Sequence, residues 1–410
     1  MAIDTGNTTW LLVSSALVLL MTPGLALFYG GLNRPQGVQN MIMMSLSCMG
    51  LVSVLWLLYG FTIAFGSGDG SLSAVVGVPG DVPHPAASDL LTHTWGDTGV
   101  PTVVFVAFQM MFAIITVAMI SGAISDRARL IGWLVFAGGW ATLVYFPVAH
   151  MVWGGGFIGE TIGALDFAGG TAVHINAGAA ALALAIVLGR RTGWPGPFPH
   201  SNVPMVVLGA GLLWFGWFGF NAGSELVADT TTGLAFLNTQ LAAGAALLGW
   251  MVTERLRYGR ATLAGAATGV VAGLVAITPA CAYITPFAAT LLGMVAGVAC
   301  ALAVNLKYRL GYDDSLDVVG VHFVGGWIGS LWIGLFATGD AAGLFYGGGL
   351  GLLGRQALAS ATVSVLSFTV ALGLAWAIEK TIGFRVPAEA TVRRRIPVTR
   401  RLRASAVSRA

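Results

Sequence analysis

Asp166-Phe-Ala-Gly-Gly-Thr-Ala-Val-His-Ile-Asn-Ala-Gly-Ala-Ala-Ala-Leu-Ala-Leu-Ala-Ile-Val-Leu188 runs directly into Gly189, Arg190 and Arg191. Between its acid and its two bases the run is long enough to cross a bilayer as a helix, which takes about 20 residues. One ionisable side chain, His174, stands inside it. Such groups are costly at that depth, so those that occur usually face a cavity, a pathway or a partner. The stretch therefore reads as a transmembrane helix carrying a buried imidazole.

The rest of the chain has the same character. Of 410 residues, 56% are hydrophobic and only 9% charged, and the mean hydropathy is +0.83. A soluble domain carries about 25% charged residues and would lack the polar groups to cover its surface at this composition. The 58 glycines suit membrane helices packed closely through small residues. Spanning runs are centred near 10–29, 38–65, 100–124, 130–152, 170–188, 203–221, 233–252, 263–280, 286–304, 318–336 and 358–378, which predicts eleven helices. No Lys or Arg precedes the run Trp10 to Tyr29, so it reads as a first span rather than a secretory signal.

Charge placement orients these spans. With the N-terminus outside, the inside segments carry Arg34, Arg127, Arg129, Arg190, Arg191, Arg255, Arg257, Arg260, Lys307, Arg309 and every base from Lys380 onward. Only Arg355, near the outer end of the last helix, is left over. The outside loops hold Asp69, Asp81, Asp89, Asp97, Glu160, Asp166, Glu225, Asp229 and Asp340. This asymmetry predicts an N-out, C-in protein. Residues 66–99 read as an extracytoplasmic loop. Residues 388–410 read as a disordered basic cytoplasmic strip lying on anionic headgroups, leaving 1–387 as the membrane domain. Cys48, Cys281 and Cys300 sit in apolar stretches at unrelated spacings and make neither a disulfide framework nor a metal site.

The opening stretch has an echo. Asp314-Ser-Leu-Asp-Val-Val-Gly-Val-His322 enters the tenth span as Asp166 to His174 enters the fifth: Asp, six residues, Val-His. Five helices separate the copies, an odd number, so they enter from opposite sides. That is the pattern of an inverted-topology repeat of helices one to five and six to ten, with a substrate path near the midplane. The ordinary role for His174 or His322 is hydrogen-bonded packing between helices. Two at matching repeat positions favour a pathway. Neutral imidazoles, each one donor and one acceptor, can guide a small polar molecule or pass a proton.

Aromatic residues gather at the outer helix ends: Phe108 and Phe112 in the third, Trp153 after the fourth, and Trp217, Phe220 and Ser224 closing the sixth. Any one of these is ordinarily an interfacial belt residue. Their convergence at one mouth suggests a cation site, since ring faces bind cations by up to about 2 kcal/mol when desolvated. Enzyme motifs such as G-x-S-x-G and H-E-x-x-H are absent. The G-x-G-x-x-G at Gly349 to Gly354 follows no strand and reads as helix packing. Nothing calls for a cofactor, a metal or nucleic acid.

Several stretches resemble the Amt/Mep/Rh ammonium transporter family: Met21-Thr-Pro-Gly-Leu-Ala-Leu-Phe-Tyr-Gly-Gly31, Phe146-Pro-Val-Ala-His-Met-Val-Trp-Gly-Gly-Gly156, Gly163 to Ala177, Gly216-Trp-Phe-Gly-Phe-Asn-Ala-Gly-Ser224 and Thr278-Pro-Ala-Cys281. Trp153 and Ser224 resemble the Amt/Mep branch. The resemblance implies transport of ammonium or ammonia, with methylammonium a further candidate, across the plasma or inner membrane. It implies a recruitment site of Phe112, Trp153 and Ser224 with Phe108 nearby, and a gate of Phe112 and Phe220. His174 and His322 would be twin pore histidines, Trp217, Tyr29 and Val318 would line the pore, and Asp166 would be a structural carboxylate. It implies a homotrimer with one pore per subunit. After Gly383-Phe-Arg-Val-Pro387 many bacterial members continue with an acidic tail that helps dock a PII regulator. Here Ala388-Glu-Ala-Thr-Val-Arg-Arg-Arg is basic, which puts PII regulation in doubt. Rival readings are an ammonium sensor with little flux, or a neutral gas or water channel of the same architecture; a membrane enzyme has no motif behind it.

Overall fold

The computed structural model describes residues 2–85, 88–196, 198–339 and 341–387. Asp340 and the basic strip 388–410 lie outside the described residues. The protein is helical and polytopic. Ten helices are long and apolar enough to cross a membrane: α1 (Thr5–Leu32), α2 (Pro35–Phe65), α3 (Thr102–Ile124), α4 (Leu130–Ile162), α5 (Gly170–Leu188), α6 (Val203–Glu225), α7 (Thr230–Tyr258), α9 (Pro286–Leu310), α10 (Val319–Phe336) and α11 (Gly351–Thr381). An eleventh apolar helix, α8 (Leu263–Ile277), is shorter. It stops before Pro279, whose ring and missing N–H end a helix. α11 starts at Gly351, so Arg355 falls in its first turns.

Small residues set how these helices pack. A Cβ at Gly209 of α6 would stand 2.3 Å from the Phe28 amide nitrogen of α1, and one at Gly297 of α9 would stand 2.2 Å from the Ala246 carbonyl of α7. Backbones in such near contact exclude any larger residue, the usual way membrane helices gain packing where burial in lipid brings no hydrophobic gain.

The two ends of the bundle differ in charge and in construction. At one end Asp4 N donates to Gly99 O (2.9 Å) and Ala228 N to Asn7 Oδ1 (2.9 Å). The long loop between α2 and α3 folds back over this acidic end. It carries a minimal hairpin of β1 (Thr94–Trp95) and β2 (Val100–Pro101), the sole strands among the described residues. At the opposite, basic end the segment after α11 docks on the α3–α4 loop: Arg129 N donates to Phe384 O and Val386 N to Arg127 O, both at 2.8 Å. There Asp313, fully buried, pairs with Arg191 at 2.5 Å and Arg127 at 3.8 Å. Arg127 also donates to Ser315 Oγ at 2.6 Å. One carboxylate thus ties together the loops after α3, α5 and α9.

Removing one partner of a buried ion pair strands the other charge and costs about 3–5 kcal/mol. Asp313→Ala should therefore lower the thermal unfolding midpoint of the detergent-purified protein steeply, whereas Asp97→Ala, in an exposed loop, should leave it unchanged. Equal midpoints for the two variants would refute the assignment.

Candidate functional site

Near the acidic end a cleft of about 200 Å³ is lined by Phe65, Trp95, Phe105, Gln109, Phe112, Trp153, Phe167, Ser224 and Leu226. Three of the four expected recruitment residues are among them. Phe108 is not; fully buried, it packs behind Phe112 with ring centroids 4.9 Å apart. Trp153 stands at 90° to Phe112, centroids 6.2 Å apart, and its indole N–H donates to Asp166 O at 2.8 Å. That bond fixes the plane of the ring. The Ser224 hydroxyl donates to Phe220 O at 2.8 Å. Its proton is committed to the helix, so toward the cleft it offers lone pairs only. A hydroxyl acceptor between aromatic faces is suited to a small cation and offers nothing to an anion.

Below the cleft Phe112 and Phe220 stack face to face, centroids 4.1 Å apart and planes 24° apart. Rings at that distance leave no passage for a hydrated ion. His174 lies beneath them, 6.1 Å from Phe220 and 5.4 Å from Trp217 between centroids. His322 meets it directly: the two Nδ1 atoms are 3.3 Å apart. In that hydrogen bond one Nδ1 donates and the other accepts, so a neutral pair holds two different tautomers. His174 Nε2 is buried with no protein partner.

Local backbone chemistry explains how the histidines are held. α5 opens with a π-helical turn, Gly170–Ile175, and α10 with another, Val319–Phe323; each contains its histidine. Wide turns of this kind recur at functional sites. They leave several N–H groups without helical acceptors, and buried donors need partners. Asp166 supplies them for α5: Oδ1 accepts from Gly169 (2.9 Å) and Gly170 (2.6 Å), Oδ2 from Thr171 (2.8 Å) and Ala172 (3.0 Å). Burial pushes this carboxyl above its ordinary range, opposed by those four donors. Both carboxylate oxygens of Asp166 are thus occupied by backbone donors. At the basic end Asp314 Oδ2 accepts from Val319 N at 2.7 Å, so the two capping acids stand at opposite ends of the bundle. Burial raises Asp314 to about 6, against the opposing pull of Lys307.

The other expected pore residues are all buried. Trp217 donates to Thr278 Oγ1 at 2.9 Å and Tyr29 to Met119 O at 2.9 Å. Tyr29 and Val318 meet at Gly122, where a Cβ would stand 2.6 Å from the phenol ring and 2.8 Å from Val318 Cγ2. Gln109 went unread in the sequence although a signal was present: it is a polar residue in an apolar span, one helical turn from Phe112. Trp95 and Phe105, stacked at 3.7 Å, gave none, because a loop hairpin brings them together.

Comparison with known proteins agrees with this architecture. Residues 9–394 match the family model described as the Ammonium Transporter Family. An ammonium transporter of Mycobacterium tuberculosis (strain ATCC 25618 / H37Rv) is 54% identical, covering 94% of this chain and 87% of the relative. The crystal structure of Candida albicans Mep2 superposes with a TM-score of 0.84 at 33% identity, covering 94% of this chain and 87% of that one. A solved protein described as a sensor Amt protein superposes with a TM-score of 0.87 at 29% identity, covering 95% and 96%. Over nearly its whole length, the chain belongs to the ammonium transporter family, whose members are membrane transporters rather than enzymes.

Proposed function

We propose that the protein recruits ammonium at the aromatic cleft, strips its proton at the Phe112–Phe220 gate and conducts ammonia past His174 and His322, in an N-out, C-in homotrimer with one pore per subunit. The observation that carries this reading is the direct Nδ1 contact between two buried histidines beneath a closed aromatic pair. Desolvation supplies the logic. An unpaired cation in a membrane interior costs at least about 2.5–3.5 kcal/mol, whereas ammonia carries no such charge penalty. The π-faces of Phe112 and Trp153, with the lone pairs of Ser224, hold the ion without a counter-charge that would trap it. The Asp166 carboxylate biases the mouth toward cations through its field alone. Joined imidazoles offer the released proton a separate route, which would make transport electrogenic.

A second reading, an ammonium sensor with little flux, is favoured by the likeness to the solved sensor Amt protein. Flux separates the two. Proteoliposomes carrying the protein should give an ammonium-driven current on a solid-supported membrane and none with potassium. The double variant His174→Ala/His322→Ala should abolish that current or its selectivity; an unchanged current would exclude the relay, and no current or ammonium uptake in the wild type would favour the sensor. Cation–π contacts of this kind contribute about 0.5–2 kcal/mol. Trp153→Leu should therefore raise the half-saturating ammonium concentration by roughly 2- to 30-fold, with the maximal current less affected; an unmoved half-saturation would remove Trp153 from the recruitment site.

A further inference from the structure

The cleft at the acidic end is much larger than the ion assigned to it. Its volume of about 200 Å³ is several times the roughly 30 Å³ share of a water molecule, which ammonium resembles in size. Six of its nine lining residues are aromatic, and only Gln109 and Ser224 are polar. Phe112 and Trp153 supply part of that ring surface; a second group, Phe65, Trp95 and Phe105, supplies more. Trp95 stacks on Phe105 with centroids 3.7 Å apart and planes 10° apart. Phe65 stands nearly perpendicular to both, 5.7 Å from Trp95 and 5.0 Å from Phe105. Phe65 and Phe105 are buried, whereas Trp95, on β1 of the outer loop, is half-buried. The hairpin is pinned in place: Thr102 N donates to His93 O at 2.8 Å, and His93 Nδ1 lies 2.6 Å from Thr102 Oγ1. The ordinary role of such a tryptophan is to anchor a loop at the membrane interface. That role accounts for the stack on Phe105. It leaves unexplained why the ring lines the same cleft as Ser224, and why so much apolar surface surrounds an ion that has none.

We propose, resting on the reading of this cleft as the ammonium recruitment site, that it is also an aromatic cage for quaternary ammonium cations, with Trp95 the residue that selects them. Ammonium presents four N–H donors, and the cleft answers with two polar side chains. Each methyl group replaces a donor with apolar surface that gains from burial against rings. The positive charge stays, and ring faces attract it. Tetramethylammonium has no proton to surrender, so it meets the stacked Phe112–Phe220 pair as a cation. It binds at the mouth and blocks without passing.

The test applies tetramethylammonium chloride to the full-length protein in two assays. On a solid-supported membrane it should carry no current and should inhibit the ammonium-driven current competitively, where sodium chloride at equal ionic strength does not. In detergent it should raise the thermal unfolding midpoint saturably above sodium chloride, an effect that needs no flux. Trp95→Leu should raise both half-effective concentrations about fivefold or more, and at least about threefold more than it raises half-saturating ammonium. Trp95→Phe keeps a smaller ring and should weaken both by about twofold, which decides the matter should Trp95→Leu fail to fold. In a protein that carries ammonium current, absence of either the block or the midpoint shift overturns the cage and leaves the transport reading standing. In a protein without that current the midpoint shift alone decides, so the two readings fail separately. Effects of equal strength in the wild type and the folded variants also overturn it.

Discussion

Backbone N–H groups that begin a helix inside a membrane protein have no water to turn to, and leaving one bare costs several kcal/mol in hydrocarbon. At the start of α5 four of them find a single acceptor, the Asp166 carboxylate. Much else follows from that arrangement. The cap allows α5 to open with a wide turn, the wide turn carries His174, and the carbonyl of the same aspartate holds the Trp153 indole. One residue thus fixes the Trp153 side of the cleft and the turn that carries His174.

The repeat partner is less symmetric than its sequence. Asp314 also caps a histidine-bearing π turn, through Val319, but its second oxygen is buried without a partner. Lys307 reaches the Asp314 carbonyl at 2.9 Å and the Asp317 carboxylate at 2.5 Å. The first cap is saturated by backbone and the second leans on a nearby cation. Two chemically different caps would suit the proposed route, on which the substrate arrives charged at one side only. Both turns still deliver an imidazole to the same place.

Much of this was legible in the sequence because it rests on coarse physics. Spans of hydrophobic residues follow from the thickness of the bilayer, and Asp, six residues, Val-His marks both caps. The exact extent of α8 and α11 was not, since Pro279 and the turns before Gly351 decide those ends locally. The cleft was half legible. Phe112, Trp153 and Ser224 line it, whereas Phe108, packed against Phe112 on the same helix, does not. Trp95 and Phe105 come together only through the fold of a loop, and spacing along the chain holds no trace of it.

Selectivity on the proposed route then rests on an asymmetry between attraction and desolvation. The mouth must favour a cation over water, and the gate must refuse it. A carboxylate in the cleft would satisfy the first condition and violate the second, because a desolvated ion pair is far harder to part than a cation from a ring face. Keeping Asp166 saturated by four N–H donors, while presenting the Ser224 lone pairs and aromatic faces instead of a carboxylate, supplies attraction that weakens as soon as the proton leaves. Ammonia retains a lone pair and hydrogen-bonding protons, so it can exchange contacts with the neutral imidazoles below. Potassium, similar in size and charge at the mouth, has no proton to surrender and meets the closed rings as a cation.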